Sequence, residues 1–584
     1  MAIAIAAPCS QVSRYSQWIA YWGRKLLRSW FKVQVSHRGG KYSLERLLAL
    51  EEYTRTTSFS RVILVCVGTP LPIMTLVILQ ELIPLQEPND GPRANYGFWI
   101  RVGLLTGVVA HTAAVQAEFL VSRVSFTRTQ LLLIFWCVAI TFPLIMLGIS
   151  SALVFPIPFV IISALPVFYL VLIASFRGIA GQQFFNDMVA DKRELTRYIA
   201  FIGFQAVMVI VYPIYQTLFI AAIGTRYEAP VIFLLPLIKV SMKYLLSIST
   251  VHVEDLMPEA VIFTAEFFNS LYLATFMQRT SAVSTLITVV ILDFCQIAFS
   301  LYSFYIRCHV ILACLQELSN ERELLSSIYS LCNKPEIYQR QTRTGIRTHS
   351  HFQHQLSDSL RKILDTLNGI SKEKCDSTRV CRKVRFAEHP ENTVFNEIIT
   401  IPSGARGITV PKCSTRIQPL DTVHVKKNLT QYKSEAVLTS STRRSLILND
   451  TLEALFTSEC LVLTEYLESL IPVFYGSFVL VIIRLPNIKY HMDLEGVTTT
   501  NVNATVHNVF TLGLLEIVSF VIIIAVMQRS CRLKLLYQLA FVLETQMMLV
   551  QDKIAIWMLM TMAFRVVHFD FSFQFSWITQ QHQA

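Results

Sequence analysis

Seven ionisable side chains stand in stretches that are otherwise apolar: His111, Glu118, Lys239, Lys243, Glu266, Asp293 and Glu516. A charge at the centre of a bilayer costs about 3 kcal/mol or more, so such residues usually mark an ion path, a proton relay or a buried ion pair. His111 and Glu118 are seven residues apart, which puts them on one helical face. Gly103 and Gly107 form a GxxxG on that same face, one turn before His111. Glycines at this spacing let a second helix approach closely. Lys239 and Lys243 are four apart, and Glu266 and Asp293 stand in the next two apolar stretches. Opposite charges on neighbouring helices can neutralise one another or line a path. Glu516 has no partner evident in the sequence. The plainer reading of the whole set is paired buried charge, with the lysines snorkelling to the interface.

The elements that must position these residues are the apolar stretches themselves. Of 584 residues, 53% are hydrophobic and only 16% charged, against about 25% charged in soluble domains. Mean hydropathy is +0.47. Val62–Gln80 runs 19 residues without a charge, and Thr129–Phe176 holds two more such runs. About 20 apolar residues cross a ~30 Å hydrocarbon layer as a helix. Lipid otherwise admits only closed barrels, whose ~10-residue alternation is missing here. Further spans are expected near Phe98–Val121, Tyr198–Gly224, Pro230–Thr250, Pro258–Gln278, Ala282–Ile306, Tyr466–Ile483 and Val509–Met527. A last one, near Ile554–Phe571, is interrupted by Arg565, His568 and Asp570. The expected fold is all-α: a polytopic integral membrane protein of about ten or eleven transmembrane helices with a largely disordered cytoplasmic insertion.

Four regions follow. Residues 1–61 form a basic arm, 62–306 a block of eight helices, 307–465 a polar insertion and 466–584 a block of two or three helices. The arm has ten Lys/Arg against three acids, so the N-terminus is expected in the cytoplasm. Alternation from there puts the basic insertion inside too, and leaves outside loops that are short and poor in Lys and Arg. The 12 cysteines fall in spans or on the inner side, so no extracellular disulfide framework is expected. Within the arm, Trp18, Trp22 and Trp30 share one helical arc while Arg24, Lys25, Arg28 and Lys32 share the opposite one. That pattern suits a helix lying in the headgroup plane and drawn to anionic lipids. Packing of the same face on the protein is the alternative.

The insertion carries short motifs. Lys383, Val384 and Phe386 lie in a KVRF run similar to the peptides that dock on protein phosphatase 1 by adding a strand to a sheet edge. This makes the 307–465 loop a candidate contact for a cytoplasmic protein. His349, His351 and His354 read as a solvated histidine patch, since a metal site usually adds Cys or carboxylate ligands. Asn503 opens a glycosylation sequon in a loop expected outside, whereas the sequons at Asn428 and Asn449 are expected inside.

No HExxH, GxxxxGK[ST], GxSxG or GxGxxG is present. The chain therefore reads as no enzyme, with no cofactor, no resident metal and no nucleic-acid partner. Its expected partners are the lipid bilayer, anionic lipid at the arm and a protein at the insertion. Prolines at Pro70, Pro72, Pro143, Pro166, Pro213 and Pro236 fall inside five spans, and broken helices often line transport sites. A transporter or channel for an ion or small solute is the leading expectation. A membrane sensor or scaffold working through the basic loop is the alternative. The stretches YSLERLLALEEY (Tyr42–Tyr53), ANYGFWIR (Ala94–Arg101) and LYQLAFVLETQ (Leu536–Gln546), with the Phe456–Pro486 region and the span layout, resemble an uncharacterised family of multi-pass membrane proteins from oomycetes. The resemblance covers both helical blocks and not the insertion. It implies architecture and lineage, and no mechanism.

Overall fold

The computed structural model describes residues 40–121, 124–222, 225, 227–250, 253–279, 283–316, 347–350, 354, 356–365 and 440–569. The described residues are helical throughout, apart from loops and one isolated β-bridge between His491 and Val566. The arm residues Trp18, Trp22, Arg24, Lys25, Arg28 and Trp30 lie outside them, as do Lys383, Val384, Phe386 and Asn428.

The first helix among the described residues is the short, polar α1 (Leu44–Thr56), with the Ser43 hydroxyl accepting from the Arg46 N–H as its N-cap. The first long apolar run is two pieces, α2 (Phe59–Gly68) and α3 (Leu71–Glu81), divided at Thr69–Pro70. Proline cannot donate the next helical hydrogen bond, which places the break there. Next come α4 (Tyr96–Leu120), α5 (Arg128–Ala152), α6 (Leu165–Ala190), α7 (Lys192–Ala222), α8 (Glu228–Thr250), α9 (Met257–Arg279) and α10 (Val283–Gln316). Thr127 and Gln130 close a reciprocal capping box at the start of α5. Past the insertion lie α11 (Ser440–Ile482), α12 (Val502–Val526), α13 (Leu535–Thr545) and α14 (Met547–Ala563).

Ten helical segments among the described residues are long and apolar enough to cross a membrane. They coincide with the ten runs expected from composition. Their burial sorts them into layers. The α9 segment is 94% buried, whereas those of α2–α3, α5, α6 and α12 are 28% buried. Leu64, Leu144, Leu170 and Leu514 are exposed on these outer helices, as expected where the solvent is lipid.

Three boundaries differ from expectation. Helix α11 starts at Ser440, inside the stretch assigned to the insertion, and buries Leu452, Leu455, Phe456 and Leu463 before the apolar run begins. The segment expected at Ile554–Phe571 is helical over Met547–Ala563 and ends before Arg565 and His568. It continues α13 across Gln546, whose φ of −116° and ψ of 28° leave helical geometry. Its polar residues Gln551, Asp552 and Lys553 have partners within the bundle, so they sit in the helix rather than at its edge. Within the insertion, Arg347, Thr348, Ser350, His354 and Ser357 contact α1, the Glu254–Asp255 turn before α9, and α13.

Helix alternation gives the bundle two ends. Arg61 pairs with Glu544 and Arg307 with Glu453 at the end that carries α1. At the opposite end Asn487 donates to the Glu81 and Ile83 carbonyls, and Lys489 pairs with Glu87. That ion pair holds the exposed Glu87 carboxyl below its usual range. The α13–α14 unit runs the whole way between the two ends. Glu544 accepts from Tyr53 at one end, and the His568 ring meets the Gln86 carbonyl and Asn95 at the other.

Candidate functional site

Halfway along the bundle, α8, α9, α11 and α12 bring six charged side chains together. Lys239 of α8 reaches both Glu266 of α9 at 2.9 Å and Glu468 of α11 at 2.7 Å. Lys243, one turn further along α8, also pairs with Glu266. Glu465 and Glu468 of α11 and Glu516 of α12 each place a carboxylate oxygen within 4.8 Å of the other two. Ser519 Oγ donates to Glu465 at 3.4 Å. Lys239 and all four carboxylates are buried, with Glu266 fully so. The site is a lysine bridge on one flank and three converging carboxylates on the other, spaced as a small cation requires.

Local sequence explains the convergence. Glu465 and Glu468 are three apart on one face of α11, and Lys239 and Lys243 are four apart on one face of α8. Close approach of α11 and α12 depends on small residues. A Cβ on Gly513 would lie 3.1 Å from Val473, and one on Gly476 would lie 2.9 Å from the Phe510 ring.

A second buried cluster sits toward the α1 end. Arg46 Nη2 donates to Glu259 of α9 at 2.7 Å and to Glu459 of α11 at 2.8 Å. Its Nη1 donates to the Asp255 carbonyl. Tyr42 donates its hydroxyl to Glu459, and Gln538 of α13 donates to that hydroxyl at 2.8 Å. Burial would lower the Arg46 pKa, but Glu459 and Glu259 hold it well above its ordinary value. Gln546, at the α13–α14 break, donates to Glu259 Oε1 at 2.7 Å.

The described residues 347–350, 354, 356 and 357 lie as a strap over this cluster. The Arg347 and Thr348 carbonyls accept from the Leu44 and Glu45 N–H groups, two of the donors that a helix start leaves without internal partners. Arg347 pairs with Asp255 at 3.0 Å and with Glu254 at 3.2 Å. The Ser350 N–H donates to Glu45 at 2.9 Å, and its hydroxyl donates to Asp255 at 3.1 Å. His354 stacks on Phe541, with ring centroids 5.5 Å apart. Burial and the nearby Arg46 push its pKa down to about 4. His349 faces Glu45 at 3.4 Å. His354 is thus a docking contact of the strap, whereas His349 stays solvent-exposed as expected, and His351 lies outside the described residues.

His111 does not meet Glu118. It pairs at 3.1 Å with Asp552 of α14, while Glu118 lies near the end of α4 against the Phe126 backbone. Gly103 and Gly107 do form a close helix contact, made with α5. A Cβ on Gly103 would come within 2.6 Å of the Ala139 carbonyl oxygen, and one on Gly107 within 2.9 Å of Phe135. Lys553, beside Asp552, is buried, donates to Thr264 at 3.4 Å and lies 4.6 Å from the Phe201 ring centroid. The Asp293 side chain is outside the described residues. Asn503 is exposed in the first turn of α12.

Sequence reasoning picked out Lys239, Lys243, Glu266 and Glu516 and missed the rest of both clusters. Glu465 and Glu468 sit at the edge of an apolar run, where carboxylates are unremarkable. Arg46 and Glu459 lie in segments that read as polar flanks, and Glu259 stands at the very start of the expected Pro258–Gln278 span. The pairs Glu259/Glu266 and Glu459/Glu465/Glu468, recurring along single helices, were the available signal. No family model, curated protein or solved structure matches this chain.

Proposed function

We propose that this chain is a multi-pass membrane protein that moves an ion or small solute across the bilayer, with the mid-depth charges as its binding site. One observation carries the reading. Glu465, Glu468 and Glu516 bring carboxylate oxygens within 4.8 Å of one another inside the bundle, beside the bridge from Lys239 and Lys243 to Glu266. Carboxylates gathered this closely repel one another when ionised, so the site favours bound protons or cations. A group that exchanges such ions with both sides of a bilayer is the core of a transporter. The Arg46 cluster stands between this site and the α1 end, and Arg565 with Asp493 at 3.2 Å stands beyond it at the other.

In this reading the α1 end faces the cytoplasm, as the Lys/Arg bias of residues 1–61 argues. The α13–α14 unit makes an eleventh crossing. The charges are enclosed, so passage requires a conformational change, for which Pro472 in α11 and the break at Gln546 offer hinges. The test is flux in proteoliposomes against a panel of protons, sodium, potassium, magnesium and small organic ions. Flux that disappears in Glu468→Gln and Glu516→Gln supports the proposal. Absence of flux for every member of the panel refutes it. The strap favours a second reading, a membrane sensor read out through the insertion. That reading gains if the panel is silent while the 307–465 loop binds a cytoplasmic protein.

A further inference from the structure

We infer that Glu259 binds a proton on its Oε2 and shares it with the amide oxygen of Gln546, forming an acid–amide ring at the α13–α14 break. Three observations converge on this atom pair. First, Arg46 is the one cation that contacts Glu259 and Glu459 among the described residues, so two carboxylates face one positive charge. Second, Glu459 has both oxygens engaged, Oε1 by Arg46 and Oε2 by the Tyr42 hydroxyl. Glu259 has only Oε1 engaged, by Arg46 and by Gln546 Nε2. Third, Glu259 Oε2 and Gln546 Oε1 are both buried and both lack a hydrogen-bond partner among the described residues.

Two buried acceptors without a donor are each costly, and here they belong to side chains already joined by one hydrogen bond. Neither can satisfy the other while the carboxylate is ionised, because an ionised carboxylate and an amide oxygen are both acceptors only. One added proton removes both defects. Glu259 Oε2–H then donates to Gln546 Oε1 while Gln546 Nε2 donates back to Glu259 Oε1, and the charge of the cluster falls to zero. The other titratable or charged groups around it are Tyr42 just before α1, Arg46 from α1, Asp255 before α9, Glu459 and Cys460 from α11, and Arg347 and His354 from the strap. Gln538 of α13 is the remaining polar neighbour. Arg347 is already committed to Asp255 and Glu254. A proton needs no cavity, which suits a site as tightly packed as this one. The inference stands whether or not the mid-depth carboxylates carry an ion.

Infrared spectroscopy of the full-length protein in lipid nanodiscs tests it, through the carbonyl stretch of a buried protonated carboxyl group and its shift in heavy water. Glu259→Gln replaces the acid by an amide that can close the same ring, so it should fold with a Tm near that of the wild type and lose one such band. Glu459→Gln should keep the band. Gln546→Leu should shift it, and this second variant decides the matter if Glu259→Gln fails to fold. Persistence of the full band intensity in Glu259→Gln, or its loss in Glu459→Gln alone, overturns the assignment. So does a Tm that rises with added sodium in the wild type and not in Glu259→Gln, since the ligand would then be a metal cation.

Discussion

Lys239→Met is the sharpest perturbation of the central charge network. Lys239 is 4% exposed and bridges Glu266 and Glu468 at 2.9 and 2.7 Å. Methionine keeps most of the volume and removes the charge, so the cost is electrostatic rather than steric. Taking one partner from a buried ion pair typically destabilises by about 3–5 kcal/mol. At about 2 °C per kcal/mol for a large chain, the melting temperature should fall by roughly 6–10 °C. Glu468→Gln in the same background removes one of the stranded negative charges. The double variant should therefore recover a substantial part of the loss, with a coupling energy of about 1–3 kcal/mol. Thermal unfolding in detergent micelles, followed by tryptophan fluorescence, reads all four corners of the cycle. A Lys239→Met protein that melts within about 2 °C of the wild type would refute the charge argument. Strict additivity of the two substitutions would refute the pairing.

Gly103→Ala should destabilise by about 1–3 kcal/mol, because the new Cβ meets the Ala139 backbone oxygen at 2.6 Å. Gly148→Ala, whose Cβ meets nothing within 4 Å, is the control and should be neutral or stabilising; equal effects in the two melts would contradict the packing account. Strap docking should depend on pH through His354, whose pKa falls to about 4 when docked against about 6.5 when free. Docking is thus complete above pH ~6.5 and weakens as pH drops toward ~4, by at most about 3 kcal/mol. A fluorophore on Ser359→Cys reports release, and the pH response should vanish in His354→Gln; survival of the response there would remove His354 from the explanation. Glycan on Asn503 and none on Asn428, read by a mobility shift after glycosidase treatment, is the expected topology, and the reverse pattern would invert it.

The ten long apolar helices were legible because each is a run of about 20 mostly apolar residues, enough to cross a membrane. Helix α14 escaped that rule for a physical reason. Gln551 donates to the Thr69 carbonyl, Asp552 pairs with His111 and Lys553 reaches Thr264, so three polar residues in a row are satisfied by protein rather than by water. Composition cannot distinguish such a helix from an interfacial flank. The same limit hid the start of α11, where Glu453 pairs with Arg307 and Glu459 with Arg46. Neutralisation of Lys239 and Lys243 by Glu266 was readable from neighbouring spans. The partners of Glu516 were not, because helix order along the chain does not say which faces meet. The partner of His111, Asp552, was not readable either, since it lies in the element the sequence defined least well.

The Arg46 cluster also sets a timetable for biogenesis. Arg46 waits for Glu459, 413 residues downstream, and Tyr42 waits for Gln538, 496 residues downstream. At about 5–20 residues per second, Tyr42 leaves the ribosome roughly 25–100 s before its last partner is made. The α13–α14 pair is thus made late, after the helices that Gln538 and Gln546 meet. Until it is made, Arg46 has its acceptors, but the Tyr42 hydroxyl and Glu259 Oε1 lack the donors that Gln538 and Gln546 supply. A chain stopped short of Leu535 would therefore carry its defect at Tyr42, 496 residues before the missing Gln538.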